Sequence, residues 1–341
     1  MASPRPRLDP DKHARLREGV VIPAHPLALN ADRTFDVERQ EGLTRYYLEC
    51  GVGGLAVGVH TTQFAIRSHG LYRPVLSLAA QQASAWRAAG GPAPIMVAGV
   101  LGPSEQARAE AQVAAELGYD LALVAMNGWA DAEESVILDG IAAVAGVLPV
   151  FGFYLQPAIG RRRFGFDFWR RFVDIDGVRA IKVAPFDRYA TLDVVRAVVE
   201  GGRAEDIALY TGNDDAIVAD LITPLRYGDT EVRIVGGLLG QWAVGTAAAV
   251  RLHRRIRELV VSGADIPAEV LALGAALTDV NSAVFDVANG FHGSVAGINH
   301  VLARAGRLRG DWCLDPAEAL SPGQAEAIDR VLRAYPELVA T

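Results

Sequence analysis

Lys182 is the residue whose surroundings most invite chemistry. It stands within Ala180-Ile181-Lys182-Val183-Ala184-Pro185, an apolar run where a flexible cation is costly unless it reaches water or has work to do. Desolvation shifts a lysine toward the free amine, the form that attacks a carbonyl. The plainer alternative is a lysine near a strand end that snorkels to solvent. Tyr154 closes the run Val150-Phe151-Gly152-Phe153. A phenol within hydrogen-bond reach can pass protons to a carbinolamine or an aldol oxygen; otherwise it is an ordinary rim tyrosine. On neighbouring strands the two side chains are expected to converge.

The elements that must position these groups can be read from the apolar pattern. Short apolar runs recur eight times: Val20–Ile22, Leu55–Val59, Ile95–Val100, Leu121–Ala125, Val150–Tyr154, Arg179–Val183, Ile207–Tyr210 and Val232–Val235. They advance by about 30 residues per step, the size of a βα unit. The runs are continuous rather than alternating, as expected of strands buried on both faces. Amphipathic stretches lie between them. Ser104 is placed to cap a helix that Gly118 stops, Asp131 and Glu134 have capping-box spacing, and Thr191 opens a helix ended by Gly201-Gly202. Eight such units predict a closed (β/α)8 barrel, with an open doubly wound sheet as the competitor.

In a barrel, chemistry belongs at the carboxyl ends of the strands. Those positions hold His25, His60-Thr61-Thr62, Asn127, Tyr154, Lys182, Gly212-Asn213-Asp214 and Gly236-Gly237, the last pair expected just after the eighth strand. The barrel is assigned to residues 1–262, with Gln241 to Val261 as its last helix. Residues 263–341 are expected to form a C-terminal helical region packed on it, broken near Asn289-Gly290, Gly310-Asp311 and Ser321-Pro322.

Composition bounds the function. The 341 residues carry a formal net charge of −7 and are 51% hydrophobic. An acidic balance argues against a nucleic-acid partner or an anionic membrane surface. The two cysteines, Cys50 and Cys313, have no metal-ligand spacing and point to a reducing compartment. No apolar run has the length of a membrane span, and the stretch from Met1 to Gly19 lacks the apolar core of a signal peptide, so a cytoplasmic enzyme is expected.

The ordered set of motifs resembles the dihydrodipicolinate synthase/N-acetylneuraminate lyase superfamily of class I aldolases. Tyr154-Leu155-Gln156-Pro157 is similar to its Tyr-x-x-Pro element, and Gly177-Val178-Arg179-Ala180-Ile181-Lys182 to its Schiff-base strand, 28 residues beyond the tyrosine. Gly51-Val52-Gly53-Gly54-Leu55 leading to Thr61-Thr62 resembles strand 2 with its paired hydroxyls. Gly212-Asn213-Asp214-Asp215 matches a Gly-Asp-Asp element loosely, and Leu314-Asp315-Pro316 through Ser321 is similar to the closing helical region. The likeness runs from about Gly19 to Leu332. It implies a lyase, aldolase or dehydratase acting on pyruvate or a related 2-oxo acid, with no dissociable cofactor, no metal and a homo-oligomeric assembly, a dimer or homotetramer. It implies that Lys182 carries the imine and Tyr154 relays protons. Thr61 and Thr62 would hold the substrate carboxylate through hydroxyl and backbone N–H donors, with Thr61 also in the catalytic set. Gly236 and Gly237 would let the backbone approach the substrate.

Three departures bear on substrate. Ile159 stands where the synthases carry an arginine five residues after the tyrosine, with Arg161, Arg162 and Arg163 just beyond. Met126-Asn127-Gly128-Trp129 lacks the tyrosine that the synthases lend to a neighbouring subunit. Both argue against true dihydrodipicolinate synthase activity. His25 and His60 are additions, expected to face one mouth and bind substrate, one of them serving as acid or base. Other readings stay open: a metal-dependent barrel using His25, His60 and Asp214, a phosphate-binding barrel using Gly212 and Gly236-Gly237, or a non-catalytic relative.

Overall fold

A computed structural model describes residues 6–339; the outermost ends of the two expected regions, 1–5 and 340–341, lie outside it. Eight parallel strands make the barrel: β1 (Val21–Pro23), β2 (Gly54–Val57), β3 (Ile95–Leu101), β4 (Leu121–Ala125), β5 (Val150–Leu155), β6 (Val178–Ala184), β7 (Ala208–Thr211) and, after a short hairpin of β8 (Leu225–Tyr227) and β9 (Thr230–Val232), β10 (Ile234–Leu239). Their order is β1-β10-β7-β6-β5-β4-β3-β2. Ala24 bridges Ala56 in parallel, and His25 N–H donates to the Ala56 carbonyl at 2.8 Å, so the first and last strands of that order meet. The expected (β/α)8 barrel is the observed fold, with C-terminal helices at Thr246–Ser262, Ala268–Val284, Ser294–Arg304 and Gln324–Ala334.

The strands are almost wholly buried on both faces, which is why their sequences do not alternate. The eighth strand is shifted from its expected place. Val232 ends the hairpin, and the barrel strand runs from Ile234 through the glycine pair to Leu239. Gly236 and Gly237 therefore lie inside the strand, not after it. A Cβ on Gly236 would stand 2.6 Å from the Tyr210 ring and 2.6 Å from the Val20 carbonyl oxygen, so the glycine permits close packing rather than a turn. Three helix starts also differ. Pro103 rather than Ser104 precedes Ser104–Glu116, Asp187, not Thr191, caps the helix Arg188–Glu200 by accepting from Ala190 N–H, and Glu133 rather than Asp131 precedes Glu134–Ala145.

The chain divides into two compact units. One comprises residues up to Val20, Ile95–Asn213 and Asp220–Gly237. Within it Tyr210 donates to the Leu16 carbonyl at 2.8 Å and accepts from Val20 N–H at 3.1 Å, which fixes the helix Pro10–Glu18 to β7. Lys12 adds an ion pair to Asp120 at 2.7 Å. The other unit comprises Val21–Pro94, Asp214–Ala219 and residues from Leu238 onward. There Arg309 pairs with buried Asp36, the cap of the helix Val37–Glu49, and ties the loop that follows Ser294–Arg304 to that helix. Among the described residues no helix is long and apolar enough to cross a membrane.

Candidate active site

Lys182 lies in mid-strand on β6 and is half-buried. Its register partners are Phe153 on β5 and Tyr210 on β7. The Nζ stands 4.2 Å from the centroid of the Phe153 ring, a cation–π distance. A Cβ on Gly212 would fall 2.4 Å from Lys182 Cε, so the missing side chain at Gly212 is the space through which the lysine passes. Beneath it, Phe151 and Tyr210 pack edge to face with centroids 5.3 Å apart. Both Tyr210 oxygen partners are backbone groups of the N-terminal segment, so this phenol is committed to structure.

Tyr154 is not brought to Lys182. It is the register partner of Val183, one residue on from the Phe153–Lys182 pair, and successive strand residues point to opposite faces. Its ring packs 5.1 Å from that of Trp169 in the helix Phe166–Phe172, and its hydroxyl donates to Phe164 O at 3.0 Å and accepts from Phe164 N–H at 3.2 Å. Gly152 marks the same face, since a Cβ there would meet the Phe172 ring at 2.6 Å. Burial raises the Tyr154 pKa above its ordinary value, against which the Phe164 contact works. The expected convergence of phenol and amine is therefore replaced by a convergence of Phe153 and amine. No sequence period predicts this, because β5 is buried on both sides and a slip of one residue exchanges the faces.

The loop after β7 is braced within the same unit. Asp220, buried in the helix Ile217–Ile222, accepts from Thr211 Oγ1 at 2.6 Å and from Asn213 Nδ2 at 3.1 Å, and pairs with Arg188. Asn213 Oδ1 in turn accepts from Phe186 N–H at 3.0 Å and holds that residue at φ 52. The loops after β6 and β7 are thus fastened together. Of the three arginines beyond β5, Arg162 donates to Ala132 O and Arg163 pairs with Asp187. Arg161, at φ 63, lines a cavity of about 530 Å³ with Ser104 and Asn127.

In the other unit, Thr61 and Thr62 sit in a 3-10 turn, His60–Thr62, at the carboxyl end of β2. Thr62 is buried and its hydroxyl is fully engaged: it donates to His25 O at 2.6 Å and accepts from the N–H groups of Gly58 and Val59. Thr61 Oγ1 has a longer contact, 3.3 Å, to the same carbonyl. His25 is fully buried rather than facing a mouth. Its Nε2 lies 2.9 Å from Thr44 Oγ1, its Nδ1 lies 2.9 Å from Pro26 O and 3.0 Å from Gln40 Nε2, and Tyr47 packs on its ring edge to face. Burial, opposed only by the Pro26 contact, lowers its pKa to about 4. A neutral imidazole with both nitrogens occupied by protein cannot shuttle substrate protons. His60 opens the turn, only partly buried, with its ring tilted on Phe64. The two histidines are not paired, because His25 turns toward the helix Val37–Glu49. Among the described residues no three His, Cys, Asp or Glu side chains are grouped to hold a metal.

Phe153 beside the amine and the space that Gly212 leaves for the lysine carry no mark in the sequence.

No family model and no curated protein matches the chain. Solved structures do. A dihydrodipicolinate synthase aligns with TM-score 0.74 at 15% identity, covering 93% of this chain and 99% of its own. The chloride-inhibited dihydrodipicolinate synthase from Acinetobacter baumannii complexed with pyruvate gives 0.74 at 16%, covering 92% and 98%. CdNal from Clostridium difficile in complex with mannosamine gives 0.73 at 14%, covering 93% and 99%. At these identities the likeness establishes a shared fold over nearly the full length.

Proposed function

We propose that the chain is a Schiff-base-forming lyase, an aldolase or dehydratase, that acts on pyruvate or a related 2-oxo acid. The observation that carries the proposal is Lys182, an amine held against an aromatic ring on β6 of a fold shared with a dihydrodipicolinate synthase solved in complex with pyruvate. The Nζ lone pair adds to the 2-oxo carbon. The former carbonyl oxygen then leaves as water, taking one amine hydrogen and one further proton, and the iminium keeps one N–H. That cation draws the electron pair of a bond at C3, so a C3–H, or a C3–C4 bond with the C4 oxygen as carbonyl, can break. The Phe153 face stabilises the iminium cation.

Tyr154 is not the relay in this scheme, and His25 is not an acid or base. Loss of the synthase arginine at Ile159 speaks against true dihydrodipicolinate synthase activity. No dissociable cofactor enters the scheme, and the assembled form is read from the resemblance as a dimer or tetramer.

The test is borohydride treatment with pyruvate, followed by mass mapping. A pyruvate-derived adduct on the Lys182 peptide, absent in Lys182→Ala, is the expected result. An unmodified Lys182 under saturating pyruvate rejects the proposal.

A further inference from the structure

Phe186 is an aromatic residue where the backbone favours glycine. It stands just past the carboxyl end of β6, the strand that carries Lys182. Its φ is 52, in the left-handed region that a bulky side chain rarely occupies. The fold enforces this conformation. Asn213, itself 1% exposed, receives the Phe186 N–H on Oδ1 at 3.0 Å. That amide is fixed in orientation, because its Nδ2 donates to Asp220 Oδ2 at 3.1 Å and to Thr191 Oγ1 at 3.2 Å. A buried polar network is thus committed to holding one strained residue, and that residue is only partly buried. Glycine would take the same backbone at lower cost, so packing alone does not explain a phenylalanine there.

The chemistry around the lysine within the same unit indicates what the ring could meet. Register partners share one side of the sheet, and the row through Lys182 reads Leu101, Ala125, Phe153 and Lys182 across β3 to β6. In the next row toward the carboxyl ends, Leu155 partners Ala184, whose Cβ borders position 212 together with the lysine chain. Neither row holds a hydroxyl, a carboxylate or an imidazole. The phenol beside them on β7, Tyr210, is bound to backbone on both its donor and acceptor sides. A charged or sugar-like chain would leave its polar groups unpaired against such a wall, whereas a hydrocarbon group gains by leaving water. We propose that Phe186 is a specificity-determining residue, and that the 2-oxo acid bound at Lys182 carries an apolar group, aryl or branched alkyl, that packs on its ring. This rests on the function proposed above and names the substrate class of that site.

The experiment titrates borohydride trapping on Lys182 with three acids: pyruvate, 2-oxo-4-phenylbutanoate, and 2-oxoglutarate, whose chain ends in a charge. Wild type is set beside Phe186→Gly, which removes the ring and relieves the backbone, and Phe186→Asn, which tolerates the same φ and puts a polar group in its place. The second variant keeps the comparison available if the first misfolds. Wild type is expected to reach half-saturation at a concentration of the phenyl acid about tenfold below that of either other acid, the scale of burying part of an aromatic group. In both variants that advantage is expected to fall by about fivefold or more. An unchanged advantage in a folded variant, or a wild type that favours pyruvate or 2-oxoglutarate, overturns the inference while leaving Lys182 in place. Absence of trapping with all three acids in wild type overturns the lysine reading and this inference with it.

Discussion

Lys182 and Gly212 share one volume: the lysine's Cε occupies the place, 2.4 Å away, where a side chain at position 212 would begin. Ala184 Cβ closes the other side at 2.7 Å, so a methyl group cannot be absorbed by the flexible lysine alone. Gly212→Ala should push the amine off the Phe153 face. The expected outcome is a trapping rate with pyruvate reduced about tenfold or more, with the circular-dichroism spectrum retained. A rate equal to wild type would show that the amine does not need this channel.

Tyr154→Phe separates two roles for the phenol. Its hydroxyl makes two bonds to the backbone of Phe164, both buried. Removing it strands an N–H and a carbonyl, at a cost of about 1–3 kcal/mol by urea denaturation. Trapping of pyruvate on Lys182 should proceed at the wild-type rate. A collapse of trapping in a stably folded variant would restore the phenol to the chemistry.

His25 makes stability depend on acid. Its pKa falls from 6.5 in the unfolded chain to about 4 in the fold because burial disfavours the cation. The folded state therefore binds fewer protons between those values. The stabilisation is complete above about pH 6.5 and is lost as pH falls to about 4, a swing on the order of 3 kcal/mol. Denaturation midpoints of wild type and His25→Gln at pH 7 and pH 4.5 measure it. Equal acid sensitivity in the two proteins counts against this assignment.

Asp220→Ala removes the carboxylate that Thr211, Asn213 and Arg188 all address. The loss of a buried, charge-assisted network predicts destabilisation of about 2–4 kcal/mol. It also predicts faster hydrogen exchange at the amide of Phe186, which Asn213 holds. Exchange unaltered at Phe186 would mean the brace does not reach that loop.

Much of the architecture was legible in the sequence because eight apolar runs at βα spacing leave few ways to bury both faces of each strand. The lysine was legible for the same reason: a cation in Ala180–Pro185 has few places to go. What stayed hidden follows from parity. A strand that is apolar on both sides carries no mark of which residue faces inward, so Tyr154 and Phe153 could not be distinguished by letters. The Gly236-Gly237 pair was placed beyond the strand because the tight approach of Tyr210 and Val20 comes from residues far away in sequence. His25 looked reactive because the partners that bury it, Gln40 and Thr44, belong to the next helix.

The Tyr210 clamp on Leu16 sets an order of events during synthesis. Its two partners are separated by 194 positions, so the first helix leaves the ribosome long before the strand it must join exists. That helix has to wait undocked, and the aromatic floor under the lysine cannot be completed until β7 has emerged. The surroundings of the half-buried Lys182 amine are thereby assembled late, after most of the polypeptide has been made.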